Sequence, residues 1–188
     1  PTVQTVQTEA LNFLQKVVIQ AHLDTAEWLR AQALVTGAIN WTYNQKTLAV
    51  SYGVPGGNFL TSRSGNDSYI GNTSKFWTDV WAARSLLHYD LRACILHPTT
   101  LDAILSNSYN QLNVLSDVGN VVTIQKYVGD TERPSSDARD TLQLIRYAAE
   151  GEVLDTDSPG RTQKIPFMPV GKLLFVGNDS RSGYRVGL

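Results

Sequence analysis

Residues 3–36 read VQTVQTEALNFLQKVVIQAHLDTAEWLRAQALVT, are followed by Gly37, and have the spacing of one long amphipathic helix. Apolar residues recur three and four positions apart, at Val3, Val6, Ala10, Phe13, Leu14, Val17, Val18, Ala21, Trp28, Leu29 and Val35. This spacing collects them on one side of a helix and predicts a broad buried stripe that includes Trp28. At about 1.5 Å per residue the helix would be roughly 50 Å long, and Gly37 would end it with a positive φ. A coiled coil, or one half of a helical hairpin, is the alternative interpretation.

The chain after Gly37 changes to the period of two that is typical of β-strands. Residues 38–43 and 47–52 alternate around the polar turn 44–46, which predicts a β-hairpin with a short loop. The glycines within 53–57 lack the Gly-Lys-Ser/Thr of a phosphate-binding loop, so we interpret them as a turn. After a polar loop, apolar residues again recur three and four apart and predict a helix from about Ser74 to Leu87.

The second half of the chain is predicted to consist mainly of strands. Residues 91–96 are almost wholly apolar, which predicts a buried central strand ended by His97-Pro98. Thr99 or Thr100 is expected to cap a short helix that continues through Leu101, Ile104 and Leu105. Further extended segments are predicted at 121–128, 141–149, 152–154, 165–170 and 173–176. This order of elements predicts the α+β class, in which sheets carry a few packed helices.

The composition argues against several classes of function. The chain of 188 residues is 42% hydrophobic, enough for one sizeable core or two small ones. Its net charge of −1 argues against general nucleic-acid binding, which needs clustered Lys and Arg. One cysteine, Cys94, leaves no pair for a disulfide within the chain. The sequence shows no apolar run of transmembrane length, so we expect no membrane partner.

Residues that could carry catalysis or bind a metal are scattered. The histidines, at positions 22, 88 and 97, form no metal-binding motif. Cys94 and His97 would point to opposite faces of a strand, so we expect Cys94 to be an apolar filler. One loop carries four carboxylates that could act as acid and base only in a cleft, namely Asp130, Glu132, Asp137 and Asp140. The sequence therefore predicts no catalytic, cofactor-binding or metal-binding residues, and a protein that is not an enzyme.

Several short segments occur in an order that resembles a known family. They are Ala33-Leu34-Val35-Thr36-Gly37, Val50-Ser51-Tyr52-Gly53, Trp77-Thr78-Asp79, Ala93-Cys94-Ile95-Leu96 with His97-Pro98-Thr99-Thr100, and Ile165-Pro166-Phe167-Met168-Pro169 with Leu173-Leu174-Phe175-Val176-Gly177-Asn178. The ordered set resembles the lambda-like (E-type) major capsid protein family of tailed bacteriophages. The resemblance implies the capsid fold shared by tailed phages and herpesviruses, with a long spine helix, a peripheral-domain hairpin and an axial α/β domain. The implied ranges are 1–90 for the spine helix and peripheral domain, 91–170 for the axial domain, and 171–188 for the return to the peripheral domain.

The resemblance also implies a function. A member of this family is a structural head subunit that associates with itself into pentamers and hexamers of an icosahedral shell. The shell encloses DNA without sequence-specific binding, and a scaffolding or decoration protein would be a further partner. The expected location is the virion, after assembly in the cytoplasm of the bacterial host. The N-terminal arm, the extended loop and the final peripheral segment of the family are not apparent, so the chain is expected to correspond to the central body of such a protein.

Three other interpretations stay open on the sequence alone. Trp77 and Trp81 lie one helical turn apart and could stack a sugar in a carbohydrate-binding or adhesion module, provided that both are exposed. A subunit of a protein shell that encloses enzymes instead of a genome would have the same fold and most of the same pattern. An enzyme whose site follows no recognised motif is the third.

Overall fold

The computed structural model describes residues 3–43, 45–60, 62–87, 91–128, 133–134, 141–154, 162–179 and 183–187. Their helices are α1 (Val3–Phe13), α2 (Gln20–Thr36), α3 (Phe76–Leu86) and α4 (Pro98–Ser106), with a π-helical segment, Leu14–Ile19, between α1 and α2. Their strands are β1 (Ala38–Tyr43), β2 (Lys46–Ser51), β3 (Leu91–Leu96), β4 (Leu112–Val118), β5 (Val121–Val128), β6 (Arg133–Pro134), β7 (Thr141–Arg146), β8 (Glu150–Leu154), β9 (Thr162–Pro166), β10 (Leu173–Asp179) and β11 (Gly183–Gly187). Short 3₁₀ turns occur at Gly56–Asn58, Gly65–Asp67 and Ser108–Asn110. Helices and sheets together confirm the predicted α+β class.

The chain divides into two compact units. The first contains the chain up to Tyr52 together with Ala149–Phe167, and the second contains Gly53–Ala148 and the chain from Met168 onward. The predicted ranges 1–90, 91–170 and 171–188 assign parts of a capsid fold, which this division does not test. The division follows packing: α3 contributes its apolar side chains to the core of the second unit, whereas β8 packs against α2 in the first. The peripheral and axial roles of those ranges remain predictions.

The long helix of the first unit follows the predicted bounds. It begins at Val3 and ends at Thr36, where Gly37 takes φ 69° and donates its N–H to the Ala33 carbonyl at 2.9 Å. The predicted burial, however, is wrong. None of the residues of α1 and α2, all of which the structure describes, is buried, and Trp28 is only half-buried.

Two β-hairpins belong to the same unit as the long helix, and their packing explains why α1 is exposed. β1 pairs antiparallel with β2, which confirms the predicted hairpin, and β8 pairs antiparallel with β9. At Gly151 the backbone of β8 lies so close to α2 that a Cβ atom would come within 2.7 Å of the Phe167 ring and 2.9 Å of Asp24 Cβ. Trp28 meets the Trp41 ring edge to face at 6.5 Å between centroids. The described hairpins therefore pack against α2 and leave α1 in solvent.

The second unit is built on one mixed sheet. Its strand order is β11-β10-β3-β7-β5-β4, with β6 paired to β5. β3 and β7 are parallel, and the other neighbours are antiparallel. β3 occupies an inner position and four of its six residues are buried, which confirms the predicted central strand.

Side chains from α3, α4 and the sheet share one apolar core. Fully buried members include Phe76, Val80, Leu96, Leu101, Ile104, Val122, Ile124, Leu142 and Leu144. Each such aliphatic or aromatic side chain contributes about 1.5–3 kcal/mol when it leaves water. Cys94 is completely buried in this core, as predicted for an apolar filler, and burial raises the pKa of its thiol.

Some local predictions are corrected by the structure. α4 is capped by His97, whose Nδ1 accepts the N–H of Thr99 at 3.2 Å, and not by Thr99 or Thr100. Thr100 is buried instead, and its hydroxyl accepts the N–H of Gly171 at 2.8 Å. β4 and β11 were not predicted at all. β4 has a bulge between Val114 and Ser116, which interrupts the alternation that would have revealed a strand.

Candidate functional site

An apolar face runs along α1 and into the π-helical segment. At about 100° per residue, Val3, Val6, Ala10, Phe13 and Leu14 fall within roughly one third of the helix circumference; these five residues are called the helix face below. Val3 is 75% exposed, Phe13 58%, and the other large members at least half. Single exposed apolar residues are ordinary, but a contiguous apolar face is a candidate interaction surface.

The opposite side of α1 is polar. Thr5, Thr8 and Asn12 lie there, and the Thr8 hydroxyl donates to the Gln4 carbonyl at 2.9 Å. All residues from Val3 to Lys16 are exposed. α1 continues directly through the π-helical segment into α2, and its residues form the exposed end of that long helix.

The π-helical segment continues the helix face beyond α1. Its sequence, LQKVVI, ends in three consecutive β-branched residues. Such residues crowd the preceding turn of an α-helix, and this run is the one local signal that could have indicated the irregularity. The apolar spacing alone is that of a continuous α-helix and did not indicate the π-helical segment.

The charges near the helix face are few. Within residues 3–19 the charged side chains are Glu9 and Lys16, which are both exposed and lie seven residues apart. Within the part of the chain that the structure describes, neither side chain takes part in an ion pair.

A second exposed apolar surface lies at the edge of the sheet in the second unit. β4 is an outer strand, and its residues Val114, Leu115 and Val118 are about half or more exposed. The bulge at Leu115 bends this edge, which is a common protection of an outer strand against further strand pairing. Arg146 holds the hairpin of β4 and β5 by a two-pronged ion pair with Asp117, at 2.6 and 2.7 Å.

The structure does not bring Trp77 and Trp81 together as a platform. Trp77 is 6% exposed, as predicted for a core residue, and its indole N–H donates to the Asn110 carbonyl at 2.8 Å. Trp81 is 43% exposed, with the Lys126 ammonium 4.2 Å from its ring centroid. One of the two rings is thus unavailable to a sugar, and the other interacts with a cation of the same chain.

A buried polar cluster holds the loop before α3. Asp79, in the first turn of α3, is 1% exposed and accepts from Arg63, with Nη2 at 2.6 Å and Nε at 3.2 and 3.3 Å from its oxygens. Tyr69 donates its hydroxyl to the same carboxylate at 3.4 Å. Burial, and then the negative charge of Asp79, raise the pKa of Tyr69 above its ordinary value.

Asparagine side chains complete this cluster. Asn110 is buried, accepts from the Ser74 hydroxyl, and donates to the Tyr69 and Ile104 carbonyls at 3.0 and 2.8 Å. Asn107 donates to the Tyr69 carbonyl at 2.7 Å. The side chains of the cluster thus form hydrogen bonds with polar partners within the second unit. The cluster therefore positions the loop before α3 and offers no evident site for a ligand.

The other residues considered from the sequence do not converge. His22 is exposed on α2 and His97 caps α4, while His88 and the four loop carboxylates, Asp130, Glu132, Asp137 and Asp140, lie outside the described residues. Gly53 has a φ of 63° and a 3₁₀ turn follows it, which fits the predicted turn. Among the described residues no group of three or more His, Cys, Asp or Glu side chains could hold a metal ion. No helix in the described ranges is both long and apolar enough to cross a membrane.

Comparisons with known proteins add no assignment. No family model matches this chain, and a search of the curated proteins finds no match either.

Proposed function

We propose that this chain is a structural subunit of a protein shell, namely the major capsid subunit of a tailed phage or prophage. The observation that carries the proposal is the helix face, whose apolar side chains are left in solvent by the described part of the chain. In a shell, neighbouring copies can cover such a surface. Closed symmetry repeats each contact many times, so each one can be modest.

Two further observations support this proposal. The short segments that resemble the lambda-like major capsid proteins occur in the same order along nearly the whole sequence. The α+β class, with a long helix that leads directly into a β-hairpin, agrees with the class that the resemblance implies. In the proposed shell, copies form pentamers and hexamers of an icosahedral capsid.

The charge of the chain suits a container for DNA. A net charge of −1 gives little general attraction for phosphates, so DNA would be enclosed without sequence-specific binding. The proposal includes a scaffolding or decoration protein as a further partner, assembly in the cytoplasm of the bacterial host, and the virion as the final location. It assigns the chain no enzymatic activity, cofactor or metal.

A shell that encloses enzymes is the second candidate, since it shares the fold and the need for subunit contacts. The carbohydrate-binding interpretation is disfavoured, because it required both Trp77 and Trp81 to be exposed and Trp77 is buried. The contents of purified particles distinguish a capsid from a shell that encloses enzymes. DNA that resists nuclease until the particle is opened supports the capsid, and enclosed protein without DNA supports the alternative.

The test is negative-stain electron microscopy of the gene product that contains this sequence, expressed in bacteria and fractionated by sedimentation. We expect closed shells of uniform size. Phe13→Asp, which places a charge in the helix face, should abolish them, whereas Asn12→Asp on the polar side should not. Protein that stays monomeric at every concentration, or shells that form equally well with Phe13→Asp, would contradict the proposal.

A further inference from the structure

We draw no further inference here: the strongest candidate, the helix face as an exposed apolar patch on α1 of the first unit, carries nothing beyond the proposed function, because nothing in the described part of the chain shows what covers it.

Discussion

The ion pair between Arg63 and Asp79 makes an asymmetric prediction, because its two members differ in their access to water. The Asp79 side chain is 2% exposed, whereas that of Arg63 is 25% exposed. Arg63→Met removes the guanidinium and leaves a buried carboxylate whose remaining side-chain hydrogen bond among the described residues is the long one from Tyr69. Asp79→Asn removes the negative charge and leaves an arginine that can turn towards solvent.

The expected loss of unfolding free energy depends on which charge remains after each substitution. Removing one partner of a buried pair costs about 3–5 kcal/mol when the other charge stays buried. We therefore expect Arg63→Met to lower the free energy of unfolding by about 3–4 kcal/mol. For Asp79→Asn the main loss is that of the charge-assisted hydrogen bonds, and we expect about 2 kcal/mol. We thus expect Arg63→Met to lower the free energy of unfolding by more than about 1 kcal/mol beyond the loss caused by Asp79→Asn.

The assay is urea unfolding followed by tryptophan fluorescence, to which Trp77, buried in the same unit, contributes. The control is Arg30→Met, since Arg30 is 74% exposed and pairs with Glu27 within one helix at 3.4 Å. That change should cost less than about 0.5 kcal/mol. If Asp79→Asn proved as destabilising as Arg63→Met, or more so, the argument from residual buried charge would be refuted.

Three further predictions concern single residues. Gly37→Val should lower the unfolding free energy by about 2 kcal/mol in calorimetry, because a β-branched residue resists the positive φ found there; an unchanged melting temperature would contradict this. Cys94 is buried with a raised thiol pKa, so a thiol reagent should modify the native protein only at the rate of unfolding, and fast labelling would show that the packing is wrong. The hydrogen bond from Arg146 lowers the pKa of Asp117. The wild type should therefore be more stable than Asp117→Asn at neutral pH, and this difference should vanish as acid protonates the carboxylate. A difference in urea midpoint that persists at low pH would refute this prediction.

Elements with a regular apolar pattern could be predicted from the sequence. The bounds of the long helix, its glycine cap, the first hairpin and the central strand β3 all follow from spacing and from local residue preferences. β4 could not be found in this way, because the extra residue at Leu115 shifts the alternation halfway along the strand. The cap of α4 was assigned to the wrong residue, because a histidine before a proline is a less common cap than the threonines that follow it.

Burial and polar pairing were harder to predict, since both depend on distant parts of the chain. The periodicity of residues 3–36 shows that one side is apolar, but it does not show what covers that side. We expected the covering residues within this chain, and the structure leaves Val3 and Phe13 exposed. Likewise, Ser74 and Asn110 are 36 residues apart, and no local pattern relates them.

The measurement that tests the central claim most directly is the accessibility of the helix face in assembled and dissociated protein. Phe13→Cys introduces a thiol into the face, and the native Cys94 is buried and should stay silent. We expect maleimide labelling of Phe13→Cys to be slow in assembled particles and fast after they dissociate, while Asn12→Cys labels fast in both. Equal labelling rates for Phe13→Cys in the two states would contradict the claim that other copies cover the helix face.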